Sequence, residues 1–257
     1  MRECRVPRAI DDNRGLWLPV RWAHALSAAL RPPLLAVGVF AALIVALMPF
    51  DESLRRPLRA IGESVGGDID RELRLVEQFG GITSLVVVGV LILRLDPSKR
   101  ARLWDLALAA GATGFISFLT KVAIGRPRPV LSGHDTILGT TNAIATTKSP
   151  EPTYTWELWE SGVSQLWSMP SSHSSSAFAL AAFLAMVYPR LRPFAYTLAV
   201  IVGLARIMHG AHWPTDVLAG ALVGYWVSTV VVRGRLGQKS ALRLFAPSRG
   251  SNPLPGG

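Results

Sequence analysis

Three short clusters of polar residues interrupt a largely apolar chain, and their residue types are those that handle an anion. The clusters are Lys121, Arg126 and Arg128; Pro170, Ser171, Ser172 and His173; and Arg206, His212 and Asp216. Each lies at the edge of an apolar stretch, where an ionisable side chain is costly unless it is paired or functional. Taken together, the clusters indicate one site that binds and processes an anion.

The cations and the serines in these clusters suit phosphoryl transfer. Lys121, Arg128 and Arg206 can neutralise a phosphate and the charge that spreads over its equatorial oxygens. The planar fork of arginine matches the geometry of a phosphate. Ser171 and Ser172 precede an apolar helical segment, so backbone N–H groups at a helix N-terminus can also face the anion.

The histidines and the aspartate add the groups that a reaction at phosphorus needs. Two histidines supply a nucleophile and a proton donor. Asp216 follows His212 by four residues, so its carboxylate can bond one ring nitrogen and fix the tautomer of the imidazole.

Simpler interpretations exist for each residue alone. A lysine such as Lys121 can reach from a helix end to the headgroups, arginines can anchor to them, and a serine such as Ser171 can cap a helix. His209, one turn before His212, is interpreted as structural. A metal site formed by His209, His212 and Asp216 is disfavoured because the nearby cations would repel a divalent ion.

Composition places the clusters in a membrane protein. The 257 residues carry a formal net charge of +10, yet 50% are hydrophobic and only 17% are charged, with a mean hydropathy of +0.33. A soluble protein with that charge would suggest nucleic-acid binding, but no motif supports it. The single cysteine, Cys4, excludes a disulfide framework within the chain and a cysteine-based zinc site.

Apolar segments of membrane-spanning length predict an all-α, six-helix integral membrane bundle. The predicted spans are 34–50, 75–93, 103–124, 174–188, 194–208 and 213–232. We expect this domain, residues 34–232, to follow a basic N-terminal segment, 1–33. It precedes a basic tail, 233–257, which is expected to be disordered.

The distribution of basic residues predicts the orientation of the bundle. Most of the 27 Lys and Arg residues fall on the side that carries both termini, which the positive-inside rule makes cytoplasmic. All three clusters then lie at the non-cytoplasmic face of what we expect to be a bacterial inner membrane. The outer connection 129–169 is long and rich in Trp, and we expect an interfacial element near 153–165.

The clusters resemble the three signature motifs of the type 2 phosphatidic acid phosphatase family. This family includes lipid phosphate phosphatases, undecaprenyl pyrophosphate phosphatases and the soluble vanadium haloperoxidases. The matching residues are Lys121 with Arg128-Pro129, Pro170 to His173, and Arg206 with His212 and Asp216, with Ala205 in place of the usual serine. The resemblance covers roughly residues 80–232.

The resemblance implies a role for each matching residue. His212 attacks phosphorus and becomes a phosphohistidine, Asp216 orients it, and His173 protonates the leaving oxygen and then helps to activate water. The phosphate is held by Lys121, Arg128, Ser171, Ser172 and Arg206. No metal or other cofactor is needed in this chemistry, and Arg126 is expected to make only a supporting or headgroup contact.

The implied substrate is a lipid phosphate or diphosphate in the outer leaflet. Phosphatidic acid, phosphatidylglycerophosphate and undecaprenyl diphosphate are candidates. Two alternatives remain: a phosphotransferase, in which an acceptor hydroxyl replaces water, and a non-catalytic lipid-binding membrane protein. The sequence does not indicate an oligomeric state.

Overall fold

Helices make up most of the computed structural model, which describes residues 35–131, 136–140, 143–146, 149–160 and 162–245. They are α1 (35–47), α2 (Asp51–Ser64), α3 (Gly67–Glu77), α4 (Ile82–Leu95), α5 (Arg102–Ile124), α6 (Ser172–Val187), α7 (Arg192–Met208), α8 (Pro214–Gly234) and α9 (Leu236–Phe245). The N-terminal segment 1–33 lies outside the described residues.

The centre of the bundle is α6, whose alanines and serines are largely buried. It packs against α5, α7 and α8, with Leu180 and Phe183 in the core. Small residues also line the facing side of α8. A Cβ atom placed on Gly224 would lie 2.0 Å from the Ser175 carbonyl oxygen, so the two helix backbones are in direct contact.

The described residues include four helical segments long and apolar enough to cross a membrane: Leu35–Ser64, Arg102–Leu131, Pro189–Met208 and Pro214–Gly234. The pair Gly67–Gly80 and Ile82–Leu95 passes the same test together but is bent by 64°. Ser172–Val187 is apolar and shorter. All six predicted spans overlap these segments, while the count of six spans stays a prediction.

The bend lies inside the predicted second span. Residues Gln78–Gly80 form a turn of 3-10 helix between α3 and α4, and a Cβ on Gly80 would lie 2.3 Å from the His173 carbonyl oxygen. Glycine therefore lets this turn reach the start of α6. The turn brings Glu77, which is buried, into the bundle.

The connection after α5 departs from the all-α prediction. It contains a three-stranded antiparallel sheet with strands β1 (Thr136–Thr140), β2 (Ala143–Thr146) and β3 (Ser149–Tyr154) in that order. Threonine and isoleucine favour extended backbone, which accounts for strands in a segment too polar to span a membrane. A short 3-10 helix, Val163–Leu166, then leads to α6.

The beginning of the C-terminal tail is helical, so the expectation of disorder was wrong for residues 236–245. Asp105 of α5 accepts hydrogen bonds from the backbone and the side chain of Gln238 in the first turn of α9. A Cβ on Gly237 would meet the Trp104 carbonyl oxygen. A carboxylate on another helix therefore caps α9. Residues 246–257 lie outside the described part of the chain.

The contact between α6 and α8 generates a stability prediction. Gly224→Ala places a methyl group against the α6 backbone, and the two helices must separate, at a cost of about 1–3 kcal/mol. We expect a lower unfolding temperature in detergent, as measured by tryptophan fluorescence.

Gly111→Ala is the matched control, because a Cβ on Gly111 meets nothing within 4 Å and alanine favours helix. Equal unfolding temperatures for Gly224→Ala and the native chain would contradict the close contact.

Candidate active site

The three predicted clusters meet at one end of the bundle. Lys121 is in the last turn of α5, His173 is in the first turn of α6, and Arg206 is in the last turn of α7. His212 lies just before α8. Two connections join these ends: residues 164–168, which lead to α6, and residues 209–213, which lead to α8.

The imidazole of His212 is held by a backbone carbonyl group. Its Nδ1 lies 2.8 Å from the carbonyl oxygen of Ser168, so Nδ1 carries the proton and Nε2 carries the lone pair. The side chain is only 3% exposed. Asp216 Oδ2 lies 3.7 Å from Nδ1, too far for the hydrogen bond that the sequence predicted, and it acts as a neighbouring charge.

Asp216 is fully buried, and its hydrogen bonds explain its distance from the ring. Oδ2 accepts from the Trp213 backbone N–H at 2.9 Å and from the Ser168 hydroxyl group. Oδ1 accepts from Arg126 at 2.8 Å. Asp216 therefore caps α8 and links Trp213, next to His212, to Ser168 in the connection that leads to α6.

Arg126 and Asp51 belong to the site, although sequence reasoning treated Arg126 as a supporting contact and did not select Asp51. The Arg126 guanidinium lies 2.8 Å from Asp216 and 2.6 Å from Asp51. Asp51 is 3% exposed and accepts from the Thr215 N–H at 2.9 Å. A carboxylate directly after an apolar span was the available signal.

Backbone carbonyl groups hold two of the three predicted phosphate-binding cations. Lys121 Nζ donates to the Trp167 oxygen at 2.6 Å. Arg128 donates to the oxygens of Ser164 at 3.1 Å and Ala211 at 3.2 Å. These neutral acceptors orient the cations without cancelling their charge, which stays available to an anion.

Arg206 is held differently, by a carboxylate. Its Nη1 lies 3.2 Å from Glu77, while its buried Nε has no hydrogen-bond partner within the described residues. A buried N–H without a partner is costly, and a bound phosphate oxygen would satisfy it.

His209 contacts Glu77 and Asp70, with 2.9 Å from each ring nitrogen to a carboxylate oxygen. This agrees with the structural interpretation of His209. Its ring faces these two carboxylates of α3 instead of sharing a metal site with His212 and Asp216.

The second cluster forms the N-terminus of α6. Ser171 is fully buried, its hydroxyl accepts from the Ser174 N–H, and its own N–H donates to the Asp216 carbonyl oxygen at 2.9 Å. The capping interpretation of Ser171 is confirmed. Ser172 is exposed, and His173 is half-buried at the first turn, where helix N–H groups favour an anion.

Burial keeps His212 neutral. It lowers the pKa of His212 to about 4, and the cationic Arg128 and Lys121 add to this effect against the opposing charge of Asp216. The neutral imidazole, which is the form able to act as a nucleophile, therefore predominates at pH 7.

Known proteins resemble this chain in sequence and in fold. A lipid A 1-phosphatase of Rhizobium johnstonii is 29% identical over 232 residues, covering 85% of this chain and 84% of that protein. A lipid A 1-phosphatase of Porphyromonas gingivalis is 37% identical over 81 residues, or 27% and 18% of the two chains.

Two solved structures share the fold. Aquifex aeolicus LpxE has a TM-score of 0.50 and 21% identity, covering 69% of this chain and 93% of that one. The transmembrane PAP2 type phosphatidylglycerolphosphate phosphatase of Bacillus subtilis has a TM-score of 0.53 and 20% identity, covering 82% and 98%.

The family model of the PAP2 superfamily matches residues 102–239, more than half of the chain. This range contains all three clusters and the helices that carry them. The resemblance inferred from the motifs is confirmed: the chain belongs to the PAP2 superfamily and is a membrane lipid phosphatase of that type.

Proposed function

We propose that this protein hydrolyses the phosphate monoester of a lipid at the outer face of the inner membrane. Lipid A 1-phosphate is the first candidate substrate. The observation that carries the proposal is the position of His212, whose neutral imidazole lies in a site with Lys121, Arg128 and Arg206. The named substrate rests on a relative matched over 84% of its length. Phosphatidic acid, phosphatidylglycerophosphate and undecaprenyl diphosphate remain alternatives.

In the proposed first step, Nε2 of His212 attacks phosphorus. A P–N bond forms, the bond from phosphorus to the lipid oxygen breaks, and His173 gives its proton to that oxygen. Lys121, Arg128 and Arg206 hold the equatorial oxygens, whose charge is spread in the transition state. The N-terminus of α6 at Ser171 and Ser172 adds partial positive charge.

In the proposed second step, water hydrolyses the phosphohistidine. His173 now accepts a proton from the water, whose oxygen bonds to phosphorus as the P–N bond breaks. Inorganic phosphate leaves, and His212 returns to its neutral form. If a lipid hydroxyl replaced water, the same intermediate would support the alternative phosphotransferase reaction.

The proposed topology has six spans, both termini in the cytoplasm and the site at the outer face of the inner membrane. The six apolar helical segments and the excess of basic residues near the opposite ends of the helices support this arrangement. It gives a lipid phosphate access to the site at headgroup level.

The first prediction from the proposed function concerns activity. Purified protein is expected to release inorganic phosphate from lipid A 1-phosphate in the presence of EDTA, and His212→Asn is expected to lower the rate by about 10³-fold or more. Phosphate release and lipid phosphorylation are measured on a substrate panel of lipid A 1-phosphate, phosphatidic acid, phosphatidylglycerophosphate and undecaprenyl diphosphate.

His209→Gln is the comparison variant, because the His209 ring bonds Asp70 and Glu77 of α3 and not the proposed catalytic groups. It is expected to lose much less activity. Transfer of phosphate to lipid without its release would favour the phosphotransferase. Unchanged activity in His212→Asn would exclude the proposed nucleophile.

A second prediction is a wide pH range of activity on the acid side. A histidine with its ordinary pKa would lose about tenfold in neutral form between pH 7 and pH 5.5. Because the pKa of His212 is lowered to about 4, we expect little loss of nucleophile until the pH falls below about 5.

The measurement is kcat/KM from pH 4 to pH 8, divided by the fraction of ionised substrate and by the fraction of protonated His173, both determined by NMR. A tenfold fall by pH 5.5 after this correction would contradict the burial effect at His212.

A third prediction tests the topology. In a Cys4→Ser background, a cysteine replacing Trp159, which is 78% exposed, is expected to react with a membrane-impermeant maleimide on spheroplasts. A cysteine replacing Ser240 of α9, which is also exposed, is expected to react only after lysis. The reverse pattern would place the site in the cytoplasm.

A further inference from the structure

Asp51 is a buried carboxylate that the proposed mechanism does not use. It begins α2, outside the range 102–239 that matches the family model, and it lies against the first turn of α8. We propose that Asp51 is a positioning residue for the reaction: through Arg126 and Thr215 it fixes Asp216 and the segment that presents His212. This inference rests on the proposed function of His212.

The contacts form an unbroken chain. Asp51 accepts hydrogen bonds from Arg126 Nη2 at 2.6 Å, from the Thr215 N–H at 2.9 Å and from the Thr215 hydroxyl. Arg126 Nη1 donates to Asp216 at 2.8 Å and to the Thr215 hydroxyl at 2.7 Å. One guanidinium therefore joins the carboxylates of two different helices.

The charges of Asp51 and Asp216 together fix the orientation of the Arg126 guanidinium. A buried carboxylate is costly unless it is paired and hydrogen-bonded, and the two-pronged guanidinium of Arg126 can pair with two carboxylates at once. The ring of Trp213 lies 5.4 Å from Arg126 and covers it. Without the charge of Asp51, Nη2 loses its anion, and Arg126 is free to turn toward Asp216 alone.

The helix end adds a second constraint. Thr215 is at the second position of α8, where a backbone N–H has no partner within the helix. Asp51 supplies the acceptor from α2, so it holds the start of α8 at a set distance from α2.

A change at Asp51 reaches His212 through Asp216 and Ser168. Asp216 bonds the Ser168 hydroxyl, and the Ser168 carbonyl accepts from the His212 ring. A rotation of Asp216 therefore shifts the acceptor that orients the nucleophile. Lys121 is held by the Trp167 carbonyl and Arg128 in part by the Ser164 carbonyl, so substrate binding is expected to change less than the position of His212.

The test is Asp51→Asn in the full-length protein. Asparagine keeps the size and one acceptor for Thr215 but removes the charge that faces Arg126. We expect kcat to fall about 10- to 100-fold, as small misplacements of reacting groups do, while KM changes less than about threefold. Asp51→Glu, which keeps the charge, is expected to recover part of the rate.

Glu52→Gln is the matched control, since it removes the same charge at the next residue. Among the described residues, the ion pairs of Glu52 are with Arg55 and Arg56 on its own helix. Its activity is expected to stay within about twofold of the native value. The unfolding temperature of each variant shows whether a loss of activity comes from misfolding or from a displaced active site. If Asp51→Asn does not fold, Asp51→Glu and Thr215→Val, which removes one hydrogen bond to Asp51, provide the same kinetic test.

A double-mutant cycle with Arg126→Gln tests the route of the effect. Because Asp51 acts through Arg126 as well as through Thr215, the loss in the double variant is expected to be smaller than the product of the two single losses. The inference is overturned if the fold losses of kcat in Asp51→Asn and Arg126→Gln multiply in the double variant. It is also overturned if Asp51→Asn keeps the native kcat, or if Glu52→Gln loses as much kcat as Asp51→Asn.

Orthovanadate gives a readout that does not depend on the lipid. It is a phosphate analogue that can accept an axial ligand, so its affinity reports the position of the nucleophile. Asp51→Asn is expected to weaken vanadate binding about tenfold. If Asp51→Asn binds vanadate as tightly as the native protein, the inference is overturned, whether or not any lipid is hydrolysed. If the native protein hydrolyses no lipid but its vanadate affinity still depends on Asp51, only the proposed function is overturned.

Discussion

The buried carboxylate of Asp216 is the group to which the other parts of the site are attached. A charge in the interior of a membrane protein must be paired and hydrogen-bonded. Asp216 meets this requirement with donors from the connection just after α5, from the segment before α6 and from the start of α8. Its backbone oxygen also accepts from the Ser171 N–H. Satisfying one carboxylate therefore brings the ends of three helices together.

Close packing of α6 and α8 makes this convergence possible. A Cβ on Gly220 would lie 2.6 Å from the Ser171 carbonyl oxygen, so glycine allows the motif that begins α6 to lie beside the motif that begins α8. Because lipid provides little hydrophobic driving force between helices, such backbone contact is a main source of helix association in membranes. The same contact that stabilises the bundle thus aligns the two histidine-bearing motifs.

The cations of the site are oriented before any anion arrives. Carbonyl groups of residues 164–168 bind Lys121, Arg128 and the His212 ring, and they do so without neutralising charge. Glu77 is the exception, since it pairs with Arg206 and His209. Preorganised donors of this kind cost little reorganisation during reaction, which is consistent with a phosphatase that relies on positioning and electrostatics.

The sequence alone determined the membrane class, the approximate helical spans and the three motifs, because apolar length and short residue spacings are local properties of the chain. It did not predict the sheet at 136–154 or α9, whose formation depends on contacts such as Asp105 with Gln238. Only the tertiary structure decided that Ser168 orients His212 and that Asp51 enters the site. The physical reason is that a backbone carbonyl has no signature in sequence, and a partner 75 residues from Arg126 is identified only when the helices are packed.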